Sequence, residues 1–229
     1  MSVILNIDTA TENAYISISK EGIILSEAIY NEQRDHGKFL HPGIQELIKK
    51  ASISIEQLDA ISVAAGPGSY TGLRVGMATA KGLCYGLNKP LIAVGTLEIL
   101  ALAAITATGI KTHECATLFC PMIDARRMEV FTALYDPNMQ LVLEPVAMIL
   151  DESSFANMLL KNQIRFVGSG AKKWELICTH QNAVFTPVSG NLLAMSTLAY
   201  RKYVYNDFTD LAYSEPLYLK EFFGGPART

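Results

Sequence analysis

The sequence predicts an α/β protein made of two similar lobes. The chain opens on an antiparallel meander and then alternates helices with short apolar strands, the signature of layered α/β architecture. The opening then returns in the second half. An apolar strand again ends in Ile-Asp, first at Ile7-Asp8 and later at Ile123-Asp124, and each is followed by a short turn and a return strand. Composition agrees: 229 residues, 50% hydrophobic and only 18% charged, exclude a disordered chain. Four cysteines are too sparse for a disulfide scaffold. A chain of this size buries about 70% of its unfolded surface, enough for one large core or two small ones.

Each element follows in order. Residues 3–8 are almost wholly apolar, as in a strand covered on both faces. Residues 14–19 alternate, with Ala14, Ile16 and Ile18 on one side. Glu21-Gly22 makes a tight turn into a third strand, 23–30. Phe39, Leu40, Ile44, Leu47 and Ile48 recur at helical spacing. Ser54 and Gln57 fit a capping box on a short helix. Residues 60–65 form a buried strand, and a helix over about 71–87 is stopped by Asn88 and Pro90. A strand at 91–94 leads to Thr96, which can cap a helix running to about 107.

The second round starts with a strand at 116–123, a turn at 125–127 and a return strand at 128–135. Asp136-Pro137-Asn138 turns the chain into 140–146. A helix begins at Asp151 or Ser153, a strand spans 164–167, and helices cover 169–179 and 191–205. The restart places the boundary near 109–112, giving lobes 1–109 and 110–229.

A net charge of −3 and an isoelectric point near 5.8 argue against a chain that grips nucleic acid alone. The basic pairs Lys49-Lys50, Arg126-Arg127, Lys172-Lys173 and Arg201-Lys202 read as solvated faces. The N-terminus lacks the basic region of a signal peptide, and the apolar stretch 97–110 is too short to cross a bilayer. A cytoplasmic protein with reduced cysteines is expected.

The densest motif is Gly66-Pro67-Gly68-Ser69-Tyr70-Thr71-Gly72-Leu73-Arg74-Val75-Gly76. It joins a strand to a helix, where backbone N–H groups can bind anions. It lacks the lysine of a Walker loop, and Thr71 stands where the dinucleotide fingerprint has glycine. A tight turn capped by Ser69 or Thr71 is therefore favoured over an autonomous phosphate site. On the following helix, Gly72, Gly76 and Ala80 form one small-residue ridge, and Ala78, Gly82 and Gly86 form a second. Each interior glycine costs about 1 kcal/mol against alanine, which close backbone approach can offset. The approaching element is either this protein's own helix from Thr96 or another chain.

Other chemistry is thin. His113-Glu114-Cys115 begins like a zincin without its second histidine; His36 and His41 are five apart; Cys115 and Cys120 are no CxxC. No serine elbow exists, since position 67 is Pro. Asp8 and Asp124 are candidate site carboxylates, or else they satisfy turn N–H groups.

Four segments together resemble the bacterial TsaB (YeaZ) family: Ile4-Leu5-Asn6-Ile7-Asp8-Thr9-Ala10-Thr11, Gly66 to Arg74 of the glycine-rich run, Met122-Ile123-Asp124-Ala125-Arg126-Arg127-Met128-Glu129-Val130, and Pro216-Leu217-Tyr218-Leu219-Lys220. The resemblance implies two RNase H-like lobes in an actin/Hsp70/sugar-kinase-like fold. It implies a non-catalytic subunit in making threonylcarbamoyladenosine beside the tRNA anticodon. Its implied partners are the paralogue TsaD, which carries the metal and transferase site, the ATPase TsaE, a second copy of itself, and tRNA only through the complex. It implies a partner interface on the helix after the glycine-rich loop: Tyr70, Gly72, Leu73, Arg74, Gly76, Met77, Thr79, Ala80, Gly82 and Leu83. No metal and no cofactor are expected on the chain alone, with ATP or ADP entering only in the complex. Asp8, Thr9 and Asp124 are the candidate nucleotide contacts. Asp8-Thr9-Ala10-Thr11-Glu12-Asn13 lacks the glycines that let superfamily kinases bend around phosphate. An autonomous ATP-dependent small-metabolite kinase or phosphatase is the alternative; a peptidase has no residues to support it.

Overall fold

Two five-stranded mixed sheets share one strand order. The computed structural model describes residues 2–31, 36–109, 117–187 and 191–220. The first sheet contains β1 (Val3–Asp8), β2 (Ala14–Lys20), β3 (Ile23–Tyr30), β4 (Ala60–Gly66) and β5 (Leu91–Gly95), in the order β3-β2-β1-β4-β5. The second contains β6 (Thr117–Asp124), β7 (Glu129–Tyr135), β8 (Leu141–Ile149), β9 (Gln163–Val167) and β10 (Ala183–Phe185), in the order β10-β9-β6-β7-β8. Read from its other edge, that is again third, second, first, fourth, fifth. In each half the first three strands are antiparallel and the last two join in parallel. The repeat read from Ile7-Asp8 and Ile123-Asp124 is thus a repeat of topology: two RNase H-like lobes in the actin/Hsp70/sugar-kinase-like arrangement.

Local chemistry explains the elements. β1 is apolar on both sides because both are covered. Leu5 and Ile7 pack with α1 (His36–Lys50) and α2 (Tyr70–Leu87), while Ile4 packs with α3 (Thr96–Thr108) and α6 (Asn191–Val204). α2 starts at Ser69, whose side chain accepts the Gly72 N–H at 3.3 Å, and ends on Asn88 in the left-handed region. Gly95, not Thr96, caps α3, and Thr96 is the first helical residue. The expected capping box at Ser54 sits on a single 3-10 turn, Ile55–Gln57, with the Ser54 N–H donating to Gln57 Oε1 at 2.7 Å.

α3 is apolar all round because it lies between the sheets. Ile99, Leu102 and Ala103 face the first core, while Leu97, Leu100 and Ala101 meet Ile123, Ala133 and Tyr135 of the second. A helix without a polar face needs such surroundings.

Two sequence expectations are corrected. The helix from Asp151 or Ser153 is only one turn, α4 (Ala156–Leu159), because Asp151 accepts from Ser153 and Ser154 in a loop first. The helix over 169–179 shortens to α5 (Ala171–Glu175), and the three-residue β10 was not foreseen. Helix α6, from the expected lobe 110–229, packs on the first sheet. Ala194, Met195, Leu198 and Ala199 of α6 complete the first lobe's core. The Asn6 amide on β1 lies within hydrogen-bond reach of Ser17, Ser19 and, on α6, Ser196. The expected motif at His113–Cys115 and the exact linker lie outside the described residues, as does the His36 side chain.

Candidate functional site

The glycine-rich segment is a packing device. The Ser69 N–H donates to the Ala10 carbonyl at 2.7 Å, and Thr9 Oγ1 donates to the Gly72 carbonyl at 2.7 Å. A Cβ at Gly68 would strike the Ala10 carbonyl, and one at Gly72 the Thr9 carbonyl. The turn after β1 therefore lies directly on the start of α2, and only glycine permits that approach. The N–H groups of Ser69, Gly72 and Leu73 are all engaged within the chain. Of the two expected caps, Ser69 and Thr71, it is Ser69 that caps α2.

The segment also receives the C-terminal strap. Thr209 N–H donates to the Leu91 carbonyl at 2.8 Å, and Leu217 N–H to the Ala65 carbonyl at 2.7 Å. Gly66, at φ +109, faces the Leu217 carbonyl, which a Cβ would approach to 2.8 Å. Lys81 of α2 donates to the Ala212 and Ser214 carbonyls at 3.2 and 3.1 Å. Arg74 lies 4.2 Å above the Tyr70 ring and donates to Tyr218 Oη at 3.1 Å. The strap ends with Lys220 on Glu129 of β7 at 2.6 Å.

The expected interface set divides sharply. Gly72, Leu73, Gly76, Met77 and Ala80 are buried within the chain. A Cβ at Gly76 would collide with Thr9 Oγ1. The first small-residue ridge, Gly72, Gly76 and Ala80, faces the turn after β1 and strand β4, and Leu73 and Met77 pack in the cores beside it. Tyr70 and Arg74 are tied to Tyr218 of the strap. Thr79, Gly82 and Leu83 remain at the surface. With His41 and Ala78 they line a shallow groove between α1 and α2. A Cβ at Gly82 or Gly86 would meet nothing within 4 Å, and Tyr85 beside them is 84% exposed. A second groove lies between α2 and the strap, lined by Arg74, Ala78, Lys81, Glu215 and Tyr218 among others.

The two aspartates occupy matching strand ends in opposite environments. Asp8 is 3% exposed, and its Oδ1 accepts the Ala10 N–H at 2.9 Å. Burial pushes its carboxyl up to about 6 against that hydrogen bond. Thr9 is wholly buried and bonded to α2. Asp124 is exposed, and its Oδ1 accepts the Arg126 N–H at 2.6 Å. Partial burial works to raise its carboxyl, but Lys173 at 2.9 Å and the Arg126 N–H together hold it below the ordinary value. Both aspartates therefore satisfy turn N–H groups two residues on. Sequence reasoning missed the second lobe's counterpart of the glycine-rich turn, Gly168-Ser169-Gly170. Ser169 Oγ bonds the Asp124 N–H at 3.1 Å, and Gly168, at φ +94, abuts the Met122 carbonyl. Its position at the end of β9, as Gly66 closes β4, was the available signal.

Among the described residues no helix is long and apolar enough to cross a membrane.

Comparison with known proteins agrees with this architecture. Residues 23–216 match the family model "TsaD: tRNA N6-adenosine threonylcarbamoyltransferase". The chain is 30% identical over 224 residues to a tRNA threonylcarbamoyladenosine biosynthesis protein TsaB from Haemophilus influenzae, covering 95% of this chain and 83% of that one. It is 36% identical over 132 residues to the Bacillus subtilis protein of the same name, a stretch covering 58% of this chain and just over half, 54%, of that relative. The solved structure of YeaZ from Pseudomonas aeruginosa shares the fold, with a TM-score of 0.77 over 96% of this chain and 100% of that one at 23% identity. The chain therefore belongs to the TsaB (YeaZ) family of tRNA threonylcarbamoyladenosine biosynthesis proteins.

Proposed function

We propose that this chain is a non-catalytic scaffold in the cytoplasmic complex that transfers threonylcarbamoyl to the N6 of the adenosine beside the tRNA anticodon. It docks through the outward face of α2 onto the TsaD paralogue, which does the chemistry. The same face serves self-association, TsaE joins the assembled pair, and tRNA is held through the complex.

One observation carries the reading: among the described residues, a Cβ at Gly82 or Gly86 would meet nothing within 4 Å. Gly72 and Gly76 are explained by contact with Thr9, but an exposed interior glycine only weakens a helix. The flat strip of Ala78, Gly82 and Gly86 lets a second helix approach closely, and that contact restores the lost stability. Thr79 and Leu83 border the strip, and Tyr70 and Arg74 stand at its strap-side end.

The nucleotide sites support the same division of labour. Asp8 is dry and turned onto its own backbone, while Thr9 and Ala10 are occupied by α2 and its loop. Asp124 is already paired with Lys173. Both strand-end carboxylates already accept turn N–H groups, which supports placing ATP or ADP in the assembled complex instead of on this chain as an autonomous kinase.

Size-exclusion and calorimetry of this chain mixed with its host's transferase paralogue, with and without ATP, test the reading. A discrete complex is expected, with no nucleotide binding by the chain alone. ATP turnover by the purified chain that is lost in Asp8→Asn would contradict it.

A further inference from the structure

The hairpin tip between β6 and β7 carries arginines where the backbone favours glycine. Arg126 and Arg127 are consecutive and both left-handed, at φ +71 and +49. The tip is firmly held. Ala125 N–H donates to the Glu129 carbonyl at 3.0 Å and Glu129 N–H to the Arg126 carbonyl at 3.1 Å. Lys173, from α5, reaches the Arg127 carbonyl at 2.6 Å, the Glu129 carbonyl at 3.2 Å and Asp124 Oδ1 at 2.9 Å. Its side chain is only 14% exposed, so its charge is used inside the turn. Backbone strain over-determined by its surroundings is a mark of function.

Two of the acids near the tip are already engaged. Asp124 is paired with Lys173, and the Glu129 carboxylate with Lys220 at 2.6 Å. Arg126, Arg127 and Lys172 are all exposed, and among the described residues none of their head groups has an acid partner. Lys172 makes no ion pair even with Glu175 of its own short helix. Two exposed guanidinium groups stand at adjacent positions of the hairpin tip, and exposed Lys172 precedes the lysine that bonds that tip, on a chain whose net charge is −3.

We propose that Arg126, Arg127 and Lys172 contact the phosphate backbone of a structured RNA. Guanidinium groups bind phosphate oxygens bidentately, and neighbouring arginines suit successive phosphates. The inference deepens the scaffold reading and rests on it: RNA held mainly by the rest of the complex gains extra phosphate contacts from this tip. The basic pairs at 126–127 and 172–173 are then more than solvated faces.

The test uses the double variant Arg126→Gly/Arg127→Gly, which keeps the turn and relieves its strain. Binding of an unmodified tRNA transcript is measured across a salt series, for the full chain with its transferase paralogue and for the full chain alone at low salt. The variant is expected to fold and assemble normally, to bind tRNA about tenfold more weakly, and to lower the salt slope by about 1.5. Unchanged tRNA affinity overturns the proposal. Loss of assembly with the paralogue also overturns it, because the tip is then a protein contact. If even the wild-type chain does not assemble, the scaffold reading fails instead. The measurement on the chain alone then decides for or against the RNA contact.

Discussion

Two glycines on one helix separate core from surface. A Cβ at Gly76 would collide with Thr9 Oγ1, whereas one at Gly82 would meet nothing within 4 Å among the described residues. Gly76→Ala should destabilise the chain by about 1–3 kcal/mol, since its Cβ collides with Thr9 Oγ1. Gly82→Ala should stabilise the isolated chain by about 1 kcal/mol, because only helix propensity changes. Urea unfolding of the two variants reads both signs in one experiment. From sequence the two ridges were visible but equivalent, because residue spacing says which residues share a face and not which face meets the sheet. Asp8 was legible as a strand-end carboxylate, but its burial was not. With its carboxyl raised to about 6 from about 3.8, its contribution to stability is complete below about pH 4 and is lost as pH rises through 6. Asp8→Asn should therefore stabilise the fold at pH 7.5 by up to about 3 kcal/mol, a gain that fades below pH 5. Thermal unfolding at several pH values checks this, and a pH-independent difference would contradict the burial effect.

At the scale of elements, strands and long helices were readable because their periodicity follows from one buried face. β1, β4 and β6 announced themselves as apolar runs, and α2 by Ser69 and Asn88 at its ends. α4 and α5 were expected but drawn too long, and β10 was missed, because with only three to five residues they are too short for a period to fix their bounds. The strap escaped for another reason: its bonds join residues far apart in sequence, such as Leu217 with Ala65 and Thr209 with Leu91. α6 looked like a second-half helix but fills the first core. Leu198→Ala should therefore cost about 2–5 kcal/mol as a buried cavity, and a fragment of residues 1–109 should fail to give a cooperative thermal transition. A fragment that melts sharply by circular dichroism would show the first lobe to be independent of α6.

The whole molecule is a duplicated fold joined through α3, which packs on both sheets, and through α6 and the strap, which return to the first lobe. Duplication was legible in the paired Ile-Asp strand ends, and the matching strand order bears it out. How the halves share their cores was not legible, since that is set by non-local packing. At this scale the strap has a consequence: it ties α2 to the second lobe through Tyr218 and the adjacent Lys220–Glu129 pair. The surface proposed for partner docking is thus braced by the body of the protein instead of resting on a lone helix. The most direct measurement is calorimetric titration of the transferase paralogue with this chain and with Gly82→Leu. The added Cβ meets nothing within 4 Å among the described residues, so the fold should stay intact while the leucine occupies the strip where a second helix would lie. Loss of measurable binding with an unchanged melting temperature is the expected result. Wild-type affinity in Gly82→Leu would contradict the assignment of this face as the docking surface.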